Sequence, residues 1–520
     1  MSTEAIPLIG KKRPKLTGSL ALATMVACFG SVQYGYHMAE LNAPQLVLSC
    51  SKEVNPWPEF PYEKTWLGKH GLVQCIPLTE EQIGLVTSIF SIGGLIGSLY
   101  AGKIADIYGR KPISFVNSIL GILGSLILFA SNTYAQMLLG RFVAGVCCGS
   151  AIVITPLIIN EVSPRELRGS LGSMNQVCIN VGILITQLLA LRLADSYRWR
   201  WLLFTGALLA LANFALLFKV NESPLWLASR GELAAAESVI CNLRGGDVQR
   251  SRQEVREWLD SRGQSGDDNC QARTRTGVQT ISGRDQSLTE RRANDVFQSE
   301  SRATSTSSLD EEVTLTKYIR DPRYALSRRA ITAILMGQQF CGINSIIFYG
   351  VKVISDLVPG YAILINVAIS VLNVVATFGA SFLVDHWGRK PLLILSSSSM
   401  SVAAAFISLG IVTMRASVLV TFTFIYIGVF ALGVGPIPFL VIPELSPPDV
   451  VGVAQSYGTT CNWIATFMVG YGFPILRNWL AGYVFLVFAV IAACFASYIY
   501  YMVPETKGKK DYEEIWGVRD

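Results

Sequence analysis

The sequence predicts an all-α integral membrane protein: twelve transmembrane helices in two pseudo-symmetric six-helix bundles, joined by a cytosolic helical linker. Three observations predict it. The 520 residues are 51% hydrophobic and only 15% charged, with a mean hydropathy of +0.42, whereas a soluble globular chain carries about 25% charge. Twelve mostly apolar runs are long enough to cross a bilayer, six on each side of a polar centre. A D-x-x-G-R-K-P string occurs twice, as ADIYGRKP at Ala105–Pro112 and VDHWGRKP at Val384–Pro391, each between two apolar runs. A string that recurs at half the chain length marks an internal duplication, and duplicated membrane halves are a common construction of transporters.

In order, the expected spans are Thr17–Ala39, Gln82–Tyr100, Pro112–Ala130, Met137–Val162, Leu171–Leu193, Trp201–Val220, Ala330–Val351, Tyr361–Leu383, Leu392–Val412, Val418–Ile442, Val451–Phe473 and Leu480–Tyr501. This divides the chain into a tail (1–16), a first bundle (17–222), a linker (223–326), a second bundle (327–503) and a second tail (504–520). Within the linker, 246–312 has no hydrophobic period and is rich in Ser, Arg, Gln, Asp and Thr, the composition of a disordered insertion. Its serines around Ser299–Ser308 are candidate phosphorylation sites, with a neutral spacer as the commoner competing role. Ser223–Leu243 reads as one amphipathic helix at the membrane surface.

Charge sets the orientation. Lys11–Lys15, both GRK turns, Ser163–Gly169, the linker and Lys507–Lys510 all fall on one side of a twelve-span chain, so the positive-inside rule puts both termini in the cytosol. The net charge of +6 is spread over these membrane-flanking loops and does not point to nucleic acid. No cleavable leader is expected, because the span after Lys15 runs too long. Most of the eleven cysteines sit in apolar spans as small hydrophobes. Cys50 and Cys75 share the first non-cytosolic loop, where either a disulfide or two free thiols fits.

The motifs together resemble the sugar porters of the major facilitator superfamily, over nearly the whole chain except the insertion. They are QYGYHMAELNAPQ (Gln33–Gln45), the paired GRK turns, Gly140-Arg141, Glu161-x-x-Pro-x-x-x-Arg168-Gly169, NESPLWL (Asn221–Leu227), QQFCGIN (Gln338–Asn344), GPIPF (Gly435–Phe439), Asn462-Trp463 and PETKG (Pro504–Gly508). The resemblance implies the major facilitator fold and transport of a hexose-like sugar by alternating access. It also implies that Asp106, Arg110, Glu161, Arg168 and Glu222 in the first half, and Asp385, Arg389, Glu444 and Glu505 in the second, form a cytosolic charge latch. Gly109 and Gly388 suit tight turns that bring each Arg to acidic helix ends. Lys111 and Lys390 are explained equally well by topology alone. The family's Arg seven residues after Glu444 is Val451 here, which leaves Glu444 to Arg389.

Carboxamides in hydrocarbon are costly unless they line a wet cavity or pair with each other. Gln176, Gln338, Gln339, Asn344, Asn373 and Asn462 are therefore the substrate candidates, with interhelical hydrogen bonding as the competing role. Trp463 offers an apolar platform for a sugar ring. Phe439 stands where the family has a cavity Trp, Ala431 where it often has Glu, and Pro156-Leu157-Ile158 lacks its Pro-x-Tyr hydroxyl.

Proton-coupled relatives carry Asp in span one where passive ones carry Asn. This chain has His37, with Glu40 one turn on and Arg141 in span four. Two readings stand: a buried proton-binding group, or a solvated carboxylate at the mouth of the span. Glu4, Leu8 and Ile9 fit an acidic di-leucine signal, E-x-x-x-L-[LI], which implies sorting adaptors and a vacuolar, lysosomal or endosomal membrane. The expected partners are a sugar, the bilayer, protons and those adaptors, with the chain as a monomer. No nucleotide-binding loop, cofactor, metal site or catalytic constellation is expected, and the chain has only three histidines. A sugar sensor that signals through the linker is the rival function.

Overall fold

The computed structural model describes residues 16–51, 61–164, 167–256, 258, 314–447, 450–509 and 512–517, apart from the side chains at 169, 170, 382 and 385. Glu4, Leu8, Ile9, Ser299–Ser308 and the Asp385 side chain lie outside this set.

Ten stretches of the described chain are long and apolar enough to cross a membrane. The last, Val451–Met502, has 52 residues, more than twice the roughly 20 that one crossing needs. It turns at Ala481, where φ is +47°, and supplies two crossings. Gly18–Ala39 supplies the twelfth; its apolar run is diluted by Gln33, Tyr34, Tyr36 and His37. The membrane helices are α1 (Gly18–Ala39), α2 (Glu80–Tyr108), α3 (Arg110–Ala130), α4 (Tyr134–Val162), α5 (Arg168–Leu193), α6 (Trp199–Leu217), α7 (Ala325–Phe340), α8 (Ile343–Ser355), α9 (Ala362–Trp387), α10 (Arg389–Val412), α11 (Ala416–Leu432), α12 (Ile437–Glu444), α13 (Val451–Leu480) and α14 (Val484–Met502).

Two crossings expected to be continuous are broken. The seventh consists of α7 and α8, parted at Gly342, whose φ of +96° suits glycine and whose missing side chain admits the Phe488 ring. The tenth consists of α11 and α12, parted at Gly433–Pro436, where Pro436 has no N–H to continue the ladder. Broken spans free backbone carbonyls at membrane depth, and such breaks are tolerated where protein or a cavity satisfies them.

Local sequence also sets where helices begin. Thr79 with Gln82 and Thr133 with Gln136 form capping boxes at the starts of α2 and α4. In the first half α2 packs on α4, α1 on α5 and α3 on α6; in the second, α10 packs on α11 and α14, and α7 on α13. The α2–α4 contact is close because glycines face each other: a Cβ on Gly97 would lie 2.2 Å from the Val146 carbonyl oxygen. The halves meet along α2–α13 and α5–α9.

The linker departs from expectation in two places. Ser223–Leu243 is two helices, Pro224–Ser229 and Leu233–Leu243, because Gly231 at φ +83° turns the chain between them. Residues 248–256, assigned by composition to the insertion, are helical. Ser251 and Val255 there are buried, and Glu254 pairs with Arg244 at 2.9 Å. Residues 257 and 259–312 of the insertion fall outside the described residues. On the face opposite the GRK turns, Cys50 and Cys75 form a disulfide.

Candidate functional site

Span seven brings its carboxamides together across its own break. Asn344 Nδ2 donates to Gln339 Oε1 at 2.6 Å, Gln339 Nε2 to Gln338 Oε1 at 3.4 Å, and Asn462 Nδ2 on α13 to the same Gln338 oxygen at 2.9 Å. Gln338 Nε2 donates in turn to the carbonyls of Val434 and Gly435 at 2.7 and 3.0 Å, in the gap between α11 and α12. One side chain thus closes the ladder of one broken span and carries the amide chain of the other. At the far end, buried Asn344 Oδ1 has no hydrogen-bond partner among the described residues. It is an open acceptor, suited to a hydroxyl donor.

The other expected contacts lie elsewhere. Asn373 on α9 exchanges hydrogen bonds with Asn180 on α5 (3.2 and 3.4 Å), and Asn180 Nδ2 also donates to Thr377 Oγ1 at 2.7 Å. This buried polar knot ties the two halves together. Asn180 was missed, although it lies four residues after Gln176 in the same apolar span. Gln176 is half-buried on α5. Trp463 is 2% exposed, with its ring edge-on to Tyr34 and Phe90 and tight against Gly94 of α2, so it fills the seam between the halves. Phe439 is half-buried against the core of the second half.

His37, Glu40 and Arg141 form one buried group. Glu40 follows the last residue of α1, yet it is 0% exposed, as are His37 and Arg141. Of the two readings of Glu40, solvation at the mouth is thereby excluded in this conformation. Its Oε1 accepts from Arg141 Nη1 at 2.9 Å, and its Oε2 lies 3.0 Å from His37 Nδ1. Arg141 also donates to the His37 carbonyl at 2.7 Å, satisfying an orphan carbonyl at the end of α1, and lies 4.5 Å from the Phe90 ring centre. With His37 neutral the group carries no net charge, the arrangement under which buried charges are tolerated.

The charged residues of the GRK face repeat between the halves. Gly109 (φ +105°) and Gly388 (φ +93°) turn the chain so that a carboxylate from far along it caps the next helix. Glu222 accepts from the Arg110 and Lys111 amides at 3.0 Å, and Glu505 from the Arg389 and Lys390 amides at 3.0 Å. Arg110 grips Glu161 through Nε and Nη2, at 3.0 and 2.8 Å, and also meets Asp106 at 3.1 Å. Arg389 holds Glu444 at 3.0 Å. Arg168 and Val451 occupy matching first positions of α5 and α13; Arg168 is exposed. Glu444 is not left to Arg389 alone, because Thr506 Oγ1 donates to it at 2.5 Å. Ser223, which follows Glu222 as Thr506 follows Glu505, also hydrogen-bonds Glu161. Both hydroxyls lie inside sequence motifs, NESPLWL and PETKG, but nothing in those strings marks them as partners of a carboxylate.

Among the described residues, the ion pairs Arg110–Asp106, Arg110–Glu161 and Arg389–Glu444 each stay within one half. On the opposite face the halves are joined: Lys352 of α8 pairs with Glu80 of α2, and the Val351 amide donates to Asn42 Oδ1 at 3.0 Å. The described conformation is therefore closed on the face of the Cys50–Cys75 loop.

Comparison with known proteins agrees with this geometry. The chain matches the family described as Sugar (and other) transporter over residues 23–289 and 269–516. It is 52% identical over 504 residues to "Probable metabolite transport protein YBR241C" of Saccharomyces cerevisiae, covering 97% of this chain and 96% of that one. It is 45% identical over 497 residues to "Vacuolar protein sorting-associated protein 73" of the same yeast, covering 96% of each. Among solved structures, the partially occluded inward-open xylose transporter XylE from E. coli aligns with a TM-score of 0.70 over 95% of this chain and 100% of that one, at 21% identity, a likeness of fold. A chain that matches this family over nearly its whole length belongs to it: this multi-pass membrane protein is a sugar porter of the major facilitator superfamily.

Proposed function

We propose that the chain moves a hexose-class sugar by alternating access and couples that movement to protons at His37, Glu40 and Arg141. The observation that carries the proposal is Glu40, a carboxylate at the end of a helix that is fully buried between a guanidinium and an imidazole. Ionisable groups held inside spans at this cost serve transport pathways and proton relays. The sugar is held by Gln338, Gln339, Asn344 and Asn462, whose open end, Asn344 Oδ1, accepts from a hydroxyl. Asn373 and Gln176 meet the sugar when the halves part, and Trp463 and Phe439 supply apolar contact. The GRK-face charges, Asp385 among them, form the latch of the alternate conformation.

Both termini lie in the cytosol on this reading, and the monomer resides in a vacuolar, lysosomal or endosomal membrane, addressed by adaptors that read Glu4, Leu8 and Ile9. The name of the second yeast relative is in keeping with that address. Counterflow of labelled hexose in liposomes, with and without a pH gradient, tests the function. Saturable exchange weakened by Gln338→Ala, with accumulation that follows the gradient, supports it. Binding without exchange points to a sensor, and exchange indifferent to the gradient points to passive transport.

A further inference from the structure

A cavity of about 50 Å³ lies inside the first half, between α1, α3, α4 and α6, away from the seam where the amides gather. Its outer end, at the GRK face, is lined by Lys111, Asn221 and Glu222, and its inner end by Gln33, Asn117 and Asn213. Those three inner side chains are 2%, 6% and 5% exposed. Their Gln33 Nε2, Asn117 Oδ1 and Asn213 Oδ1 atoms find no hydrogen-bond partner among the described residues.

The same holds deeper in, for Ser125 Oγ and His37 Nε2 on fully buried side chains. Helical spacing aligns the five. On α1, His37 is one turn beyond Gln33; on α3, Gly121 and Ser125 follow Asn117 at one and two turns. Glycines let these polar side chains pack directly against the neighbouring helix backbones along the line. A methyl group on Gly121 would collide with Gln33 Nε2, and one on Gly206 would lie 2.7 Å from Ser125 Oγ and 3.5 Å from His37 Nε2. Five unpartnered polar atoms in one column are costly at membrane depth. Water is the partner such a row calls for, and the cavity at its outer end has room for more than one molecule.

We infer that this column is a water-filled proton route between the cytosol and His37, separate from the path of the sugar. The inference rests on the proton-coupled reading above. Glu40, ionised beside Arg141, accepts from His37, so Nδ1 carries the hydrogen and Nε2 presents its lone pair to the column. A hydronium in the column gives its proton to Nε2 and becomes water. The imidazolium keeps its Nδ1–H on Glu40, and release to water reverses the step. The charged and titratable groups around His37 are Tyr36 on α1, Glu40 just past its end and Arg141 on α4, with Cys148 and, from α8, Tyr349 near the guanidinium. On the column side α3 and α6 bring Ser125 and Gly206, while α2 brings the carbonyls of Val86 and Thr87 to Arg141. α5 brings the Thr186 hydroxyl to the Tyr36 carbonyl.

Two adjacent cysteines test the water. Cys147, 1% exposed, lines the cavity, whereas Cys148, 0% exposed, faces Phe90 and Trp463. Hydroxyl-radical footprinting of the full-length protein is expected to oxidise Cys147 severalfold faster than Cys148. In Asn117→Leu/Asn213→Leu that difference disappears, and accumulation driven by a pH gradient falls by about tenfold while sugar counterflow stays within about twofold. Equal oxidation of the two cysteines in the unaltered protein overturns the column, whether or not the variant folds. Gradient-driven accumulation that survives in the variant places the proton route elsewhere and leaves coupling intact. If the unaltered protein shows no gradient-driven accumulation, coupling itself fails, and the column's proton role with it.

Discussion

Thr506 donates its hydroxyl to Glu444 at 2.5 Å, and Arg389 holds the other oxygen of that carboxylate at 3.0 Å. Both come from within the second half, where Val451 offers no charge. Removing a hydrogen bond to an ionised acceptor costs about 1.5–3 kcal/mol. Thr506→Val is therefore expected to lower the thermal unfolding midpoint of the solubilised protein, and Thr506→Ser to leave it near the original. Equal midpoints for the two variants would show that the hydroxyl does not support Glu444.

Gly109 and Gly388 have φ, ψ of 105°, 163° and 93°, 171°, a region that is essentially glycine-only and costs other residues about 1–3 kcal/mol. A methyl group at Gly388 would also approach Glu505 Oε2 to 2.9 Å, displacing the carboxylate that caps α10. Gly388→Ala is thus expected to reduce the yield of folded protein more than Glu505→Gln, which keeps the turn and weakens only the cap. Fluorescence-detected size exclusion of tagged protein measures this, and the reverse order would place the cost in the charge.

The duplicated GRKP turns and the count of crossings were legible because hydropathy and repetition survive in one dimension. The breaks at Gly342 and Gly433–Pro436 were not, because an apolar run looks alike whether or not its ladder is continuous. Gln338, Asn344 and Asn462 stood out as amides in hydrocarbon. Asn180 has the same signature but no motif around it. The Glu80–Lys352 pair was hidden for a different reason: each charge sits at a span end, where charge is expected, and only the folded chain shows that they meet.

That pair joins α2 to α8 beside the Asn42–Val351 hydrogen bond. A partly exposed ion pair is worth about 1 kcal/mol at most, which is about fivefold in the ratio of two conformations. Glu80→Gln is expected to speed labelling of Ser88→Cys by a membrane-impermeant thiol reagent applied from the disulfide face. The exchanged pair Glu80→Lys/Lys352→Glu should restore slow labelling. Unchanged labelling in Glu80→Gln would mean that Asn42 alone holds this face shut.

Asn344 Oδ1 is the open end of the amide chain, while Asn344 Nδ2 is committed to Gln339. Asn344→Leu removes both, and the loss of one or two hydrogen bonds to sugar predicts a rise in KM of about 10- to 100-fold in zero-trans uptake. Asn344→Asp keeps an acceptor and is expected to lose less. A larger loss in Asp than in Leu would show that this position rejects charge and does not read a hydroxyl.

Glu40 and Arg141 balance each other in a site with no exposure. Breaking such a pair from one side leaves a buried charge and costs about 3–5 kcal/mol, whereas removing both partners is often nearly neutral. Glu40→Gln is therefore expected to depress folded yield, and Glu40→Gln/Arg141→Gln to recover it. In neither variant does His37 retain a carboxylate to steady its imidazolium, so acid on the driving side is expected to raise uptake in the unaltered protein and in neither of these. A double variant that folds well and still responds to the gradient would remove this triad from coupling. One that folds well and has lost the response would tie the proton to His37 and Glu40 and not to a general loss of structure.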